Sequence, residues 1–335
     1  MEEFAAASGL SRPTVSKFFH DPSSVRPSTR RRIEEALEQY DYRPNIYAVN
    51  QNRRLTKTIG IVVPFLADPY FAEIARVLEM RCIDAGFSPS LFSSHGRQEL
   101  ENDILDTLRS MKPAGVLLAP LGRGSDRAVI ESFCANVPTV LFDSNIDKVG
   151  DAFVGSDNGQ FTSLMVDYLS RTGGSPWFFE METPPNPNAR KRRQGYIAAM
   201  AAQGHEPDIT QAQGTGWDLE KIGYEEGLRA IDERKGNCGT VLCSNDRLAI
   251  GFLAACFKRG LRVGIDPQCD IRVAGMDGHP ISKYTAPGLT TVAHDYETIA
   301  GRSVQTLFGF MQDEDRGTQR TEMLFEGKLL MRSSA

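Results

Sequence analysis

From residue 57 onward the chain alternates short, unbroken apolar runs with amphipathic stretches of helical length. TIGIVVP, AGVLLAP and TVLFD come first, separated by helical patterns over Tyr70–Ala85 and Leu100–Met111. A second set, PWFFEM, GTVLCS and DIRVAGMD, alternates with helical patterns near 189–203, 218–233 and 246–259. An apolar run without polar alternation marks a strand covered on both faces. Strand–helix alternation requires parallel pairing, since each helix carries the chain back across the sheet. The body is therefore predicted to be α/β, with two doubly wound parallel-sheet lobes in tandem.

At 335 residues, 41% of them hydrophobic, the chain is long enough for such cores and for a further domain. No apolar run approaches the roughly 18 residues of a membrane helix. The start, MEEFAAASG, is acidic and lacks the basic-then-apolar order of a secretion signal. Six cysteines are scattered without a C-x-x-C pair, which suits reduced core thiols in a cytoplasmic protein. Cys238 and Cys243 have no histidine nearby in sequence, so no zinc or other metal site is expected. LGRGSDR (121–127) places two glycines after a strand but lacks the third of a dinucleotide fingerprint. H-E-x-x-H, G-x-S-x-G and P-loop spacings are absent. No catalytic residue, metal or cofactor is expected, and His294 with Asp295, near a lobe crossover, reads as a structural hydrogen-bonding pair.

The first 58 residues differ from the rest. They hold ten Lys+Arg against seven Asp+Glu, whereas the remainder holds 28 against 36, giving −5 for the whole chain. A basic head on an acidic body suits contact with something anionic, such as nucleic acid. Three helices are predicted there: Glu2–Ala7, Ser11 to about His20, and one opening at Pro27. Ser11 is a good N-cap. Pro13 falls in the first turn, where its missing N–H costs little. Val15, Phe18 and Phe19 form one apolar stripe and Ile33, Leu37 and Tyr40 another. Helix, short glycine turn, helix is the helix-turn-helix arrangement, whose second helix enters the major groove. Arg12, Thr14, Ser16 and Lys17 then form a polar, basic reading face.

The stretch AAASGLSRPTVSKFFHDPSSVRPSTRRRIEEALEQYDYRPN resembles the DNA-binding head of the lac repressor family of bacterial regulators. It carries the A-x-x-SG-[LV]-S-x-x-TVS-[RK] core, the V-x-x-x-TR opening of the third helix and the closing Y-x-PN. The likeness continues through LTKTIGIVVP, DPYFAE, GVLLAP, PTVLFD, VGSDNGQ, RKRRQGY, VLCSNDRLAIG, VAGMDG and PGLTTVAHD. The resemblance implies that Arg12, Pro13 and Lys17 contact bases, with Arg12 and Lys17 able to donate to guanine O6 and N7. It implies phosphate contacts from Ser11, Thr14, Ser16 and Thr29, and DNA contacts from Asn45 and Gln51. Two departures stand out. The sequence begins inside the family's first helix, so translation starting upstream, or a less stable head, is expected. In the hinge (44–54), Gln51 stands where the family has a leucine that wedges into the minor groove, and a glutamine is not an apolar wedge.

The resemblance further implies a periplasmic-sugar-binding type of body. A head (1–43) and hinge (44–56) precede a first lobe of 57–156 with 292–315 and a second of 157–291 with 316–335. Crossovers are expected near 156–160, 290–293 and 312–320. Ligands in such sheets bind outside the carboxyl ends of the strands. Asp68, Asp143, Asn245 and Asp277 sit at those ends, with Arg192 and Trp217 on the second lobe's helical side. Carboxylates, an amide and a guanidinium suit sugar hydroxyls, and Tyr70, Phe71 and Trp217 would cover apolar sugar faces. Asp143, Arg192, Trp217, Asn245 and Asp277 match positions that contact effectors in the family. Asp157 and Asp246 read equally well as helix caps.

The resulting expectation is a repressor that binds double-stranded, palindromic operator DNA as a homodimer or larger assembly, and whose operator affinity changes with a sugar-like effector. The resemblance makes Val77, Leu78, Met80 and Arg81 candidates for the dimer surface. The alternative is a sugar-binding protein without a regulatory role. The head and the lack of a secretion signal favour the regulator.

Overall fold

The structure is a computed structural model that describes residues 2–20, 22–40, 56–235, 239–312 and 320–335. The described residues up to Lys57, with 111–113, form one compact unit, and the other described residues form another.

The head holds α1 (Glu2–Ala7), α2 (Arg12–His20) and α3 (Pro27–Tyr40). Gly9 turns the chain between α1 and α2 at φ +62°, a left-handed conformation that side chains resist. Ser11 Oγ caps α2, accepting from Thr14 N at 3.3 Å. Phe4, Ala5, Val15, Phe18, Ile33 and Ala36 close a small core, with Phe19 and Leu37 partly buried against it. Tyr40 is instead 46% exposed and donates its hydroxyl to Ala7 O at 3.2 Å.

The body opens with β1 (Thr58–Val63), α4 (Pro69–Asp84), β2 (Ser88–Ser93), α5 (Gln98–Met111), β3 (Gly115–Leu118), α6 (Arg127–Cys134), β4 (Thr139–Phe142) and β5 (Ala152–Ser156). It continues through α7 (Asn158–Thr172), β6 (Trp177–Met181), α8 (Ala189–Ala202), β7 (Ile209–Ala212), α9 (Leu219–Glu233), β8 (Gly239–Cys243), α10 (Asp246–Lys258), β9 (Ile271–Asp277) and β10 (Thr290–Ala293). It closes with α11 (Tyr296–Gln312), β11 (Thr321–Phe325) and β12 (Lys328–Leu330). The first sheet has the order β11-β5-β4-β3-β1-β2 and the second β12-β10-β9-β8-β6-β7. All pairings are parallel except that of β12 with β10. β1 and β3–β6, apart from the first residue of β1, are buried along their whole length, as strands between helical layers must be.

Two expected lobe boundaries are corrected. Val292 and Ala293 belong to the second sheet, so the chain returns to the first lobe only after Ala293. There α11 packs Ile299, Ala300, Val304 and Leu307 into the first core. Leu324 and Phe325 pair with Gly155 and Ser156 in the first sheet, so the final crossing follows Phe325 rather than falling within 312–320. The apolar pattern of 324–332 is thus shared by two short strands, one in each sheet.

Two of the dimer candidates are also corrected. Val77 and Leu78 are 3% and 0% exposed, because the inward stripe of α4 (Phe71, Ile74, Ala75, Leu78, Cys82) carries them into the first core. Met80 and Ile83 face outward, and Arg81 pairs with Glu297 at 2.8 Å.

Candidate functional site

On the head, Pro13, Thr14, Lys17 and Thr29 line one groove of about 390 Å³ together with Ser24, Val25 and Arg26. Arg12 and Pro13 are exposed at the start of α2, and Ser16 is half-buried. Ser11 shares a 2.7 Å hydrogen bond with Thr14 Oγ1. Sequence reasoning missed Arg26 in this groove. It follows the polar DPSSV loop, and its signal was a cation immediately before the Pro27 that opens α3. Asn45 and Gln51 lie outside the described residues.

In the body, the carboxyl ends of β1, β4, β8, β9 and β10 converge. Arg192, on α8 and almost fully buried, is the hub. It donates through Nε to Asn158 Oδ1 at 3.1 Å, through Nη1 to Ser244 O at 2.7 Å and through Nη2 to Asp277 Oδ1 at 2.5 Å. These use three of its five donor hydrogens. Burial would raise the Asp277 carboxyl, but the Arg192 charge and the His294 hydrogen bond outweigh it, and the group is held below its ordinary range.

His294 bridges Asp277 and the end of β5, with Nε2 3.2 Å from Asp277 Oδ1 and Nδ1 2.6 Å from Ser156 Oγ. Burial lowers its pKa, so the ring is neutral at neutral pH. An ionised Asp277 can only accept, so Nε2 carries the hydrogen and Ser156 donates to Nδ1. The expected structural role of His294 is met here. Asp295 caps α11 by accepting from Thr298 N at 3.0 Å.

Asp143 follows β4 with a backbone φ of +60°, a strained conformation of the kind that collects at binding sites. Burial pushes its carboxyl up to about 6. Asn188 Nδ2 donates to Asp143 Oδ1 at 3.0 Å and to its backbone O at 3.1 Å. Asp143 Oδ2 and Tyr70 Oη are buried without a hydrogen-bond partner in proper geometry, and each faces the other. Buried polar atoms left in this state suit a ligand's hydroxyl.

Two predicted residues tie the lobes together. Asp68 caps α4 through Tyr70 N at 3.0 Å and accepts from Arg247 of the second lobe at 3.0 Å. Trp217, from the second lobe, stacks on Phe65 of the first with centroids 5.0 Å apart and meets Phe71 edge-on at 6.1 Å. The aromatic faces expected to cover a sugar are thus turned on one another, with Phe71 only 1% exposed. Asn245 spends its side-chain oxygen capping α10 at Leu248 N, 2.9 Å away. Asp157 caps α7 through Gln160 N, while Asp246 accepts from Thr291 Oγ1 and His279 N at 2.7 Å each.

Sequence reasoning missed Asn158, Asn188 and Arg247. Each sits at or next to the first residue of a helix in the second lobe, where a polar side chain reads as a cap. Beside this cluster lies a cavity of about 560 Å³ between the lobes, lined by Leu121 and Arg123 of one and Met181, Asn186 and Arg190 of the other. None of the eight predicted effector residues lines it.

Residues 1–45 match the profile of bacterial regulatory proteins of the lacI family, and residues 174–335 match a periplasmic binding protein-like domain. The head and the body are thus both similar to regulators of the lac repressor family. Among curated relatives of this regulator, the ribose operon repressor of Escherichia coli is 26% identical over 330 residues, covering 96% of each chain. The repressor PurR of Pasteurella multocida is 25% identical over 336 residues, covering 100% of this chain and 98% of that one. The fold is that of the lac repressor dimer bound to operator and the anti-inducer ONPF, with a TM-score of 0.82 at 24% identity, covering 99% and 97% of the two chains. It is also that of a LacI-family regulator from Enterococcus faecium with bound ribose, with a TM-score of 0.69 at 19% identity, covering 83% and 98%. Among the described residues, no helix is long and apolar enough to cross a membrane.

Proposed function

We propose that this regulator is a cytoplasmic, dimeric repressor whose affinity for a palindromic operator changes when a small polyhydroxylated effector binds between the lobes. The supporting observation is that one chain carries both a helix-turn-helix head with a basic, hydroxyl-rich groove and a two-lobed body with unpartnered buried polar atoms. In the head, Arg12 and Lys17 donate to base edges, Pro13 offers shape or apolar contact, and Ser11, Thr14, Ser16 and Thr29 hold phosphates. Ser11 Oγ already caps α2, so its phosphate contact would come from the hydroxyl hydrogen or the backbone.

In the body, the two remaining Arg192 donor hydrogens, the Asp277 carboxylate, Asp143 Oδ2 and Tyr70 Oη meet the effector's hydroxyls, with Asn245 and Asp68 at the rim. Trp217 and Phe71 part to admit it. Because Asp68–Arg247 and Trp217–Phe65 join the lobes, an effector that inserts between them changes lobe geometry, and that change alters operator affinity through the hinge. A thermal-shift screen of the full chain against a sugar library tests the reading, since a ligand that binds only the folded state raises the melting temperature. At least one neutral sugar is expected to do so. The same screen on Asp277→Asn should lose the response, and a response left intact would remove Asp277 from the site.

A further inference from the structure

The inter-lobe cavity of about 560 Å³ is of the size that holds small ligands. Arginines of both lobes line it. Several other arginines of the body face carboxylates, as with Arg76–Glu73, Arg127–Glu131, Arg234–Asp208 and Arg259–Asp232. Arg193 at the cavity wall follows that habit, 2.5 Å from a Glu180 whose side chain is 4% exposed. Arg123 and Arg190 do not: among the described residues neither has an ion-pair or hydrogen-bond partner. Arg193 and Glu180 cancel, so Arg123 and Arg190 leave the lining one positive charge ahead of Glu182.

The two guanidiniums come from opposite lobes onto one space. Arg123 rides on the turn Gly122–Gly124. A β-carbon on Gly122, whose φ is +66°, would lie 3.0 Å from Ser144 Oγ and 3.1 Å from Pro187 Cβ. Only glycine lets the turn press so closely on the second lobe, just ahead of the start of α8 where Arg190 stands. Asn188, at the N-cap of α8, gives its amide to Asp143 and makes no side-chain cap, so the positive end of the helix dipole is left uncapped there. Asn186 and Gln194 add amides to the wall.

We infer that this cavity is a second ligand site, for a hydroxylated anion such as a sugar phosphate or a sugar acid. Arg123 grips the anionic group from the first lobe and Arg190 from the second, while Glu182 accepts a hydroxyl. A guanidinium pairs in bidentate fashion with phosphate and carboxylate alike, so the walls select for charge rather than for one acid. A bound anion bridges the lobes and favours their closed arrangement. The site is separate from the proposed effector site, with which it shares no residue.

The test is calorimetry and thermal shift on the full chain with monosaccharide phosphates and uronates, each beside its neutral parent. Ribose 5-phosphate with ribose, and glucuronate with glucose, head the panel. At least one anionic member is expected to bind 10-fold or more tighter than its neutral parent. Arg123→Gln/Arg190→Gln, exposed changes that keep the fold, should erase that preference while leaving neutral-sugar binding in place. A phosphate-only or uronate-only response identifies the acid. The inference fails if no anion outperforms its neutral parent, or if the double variant retains the preference.

Discussion

Asp68 of the first lobe and Arg247 of the second form an ion pair at 3.0 Å, with side chains only 10% and 12% exposed. Arg247 is also bound to Glu220 through Nε and Nη2 at 2.7 and 2.6 Å. One side chain thus clasps the lobes while anchored at its base to α9. Burial, followed by the Asp277 charge, raises the Asp68 carboxyl despite Arg247. The clasp therefore holds a carboxylate that would prefer water, a contact suited to being exchanged for others when the cleft is occupied.

Arg247→Leu removes the clasp and leaves Asp68 buried without its cation. A buried group left unsatisfied costs about 1–3 kcal/mol, and more when it is charged. Glu220, 41% exposed, regains water and adds little to the loss. Urea unfolding of the effector-free chain should show this decrease, and small-angle scattering a larger radius of gyration. Unchanged values for both would show that the pair does not hold the lobes.

The Asp246 carboxyl is raised from 3.8 to about 7, first by burial and then by the Asp277 charge. The folded chain therefore binds this proton more tightly than the unfolded chain. The associated stabilisation is complete below pH 3.8 and is lost as pH rises through about 7. Asp143, raised to about 6, acts in the same direction. The melting temperature of the wild type should thus fall more between pH 5 and 8 than that of Asp246→Asn, whatever the absolute stability of the variant. Parallel pH profiles would contradict the assignment.

Lys17→Ala should cost about 1–3 kcal/mol on the preferred operator and relax preference at one base pair. Anisotropy titrations on operator variants check this. Equal weakening on every DNA sequence would make Lys17 a phosphate contact.

Much of the architecture was legible because it rests on local patterns. Short unbroken runs such as TVLFD, β-branched and bounded by turn residues, read as strands covered on both faces, and the Ser11–Pro13 start of α2 follows from capping chemistry. The polar ends of strands β1, β4, β8 and β9 likewise put Asp68, Asp143, Asn245 and Asp277 at one place. What stayed hidden depends on pairings distant in sequence. Leu324 joins the first sheet because β5 offers it an open edge, which no pattern within 324–332 encodes. Val77 read as surface although it lies on the buried side of α4. Asn188 and Arg247 carry no local signal beyond a helix start, His294 read only as a structural hydrogen bond, and only the folded chain sets them against Asp143, Asp68 and Asp277. The inter-lobe cavity was equally invisible, since Arg123 and Arg190 lie 67 residues apart.

In the proposed mechanism, ligand between the lobes is coupled to DNA on the head, and this coupling is open to experiment. It is tested most directly by the operator affinity of the full chain, measured by fluorescence anisotropy on a site selected from random DNA, with and without a saturating sugar chosen by thermal shift. Coupling free energies of about 1–3 kcal/mol correspond to roughly 5–150-fold changes, and a change of that size is expected. An operator affinity that stays the same in the presence of every sugar that binds the body would contradict it.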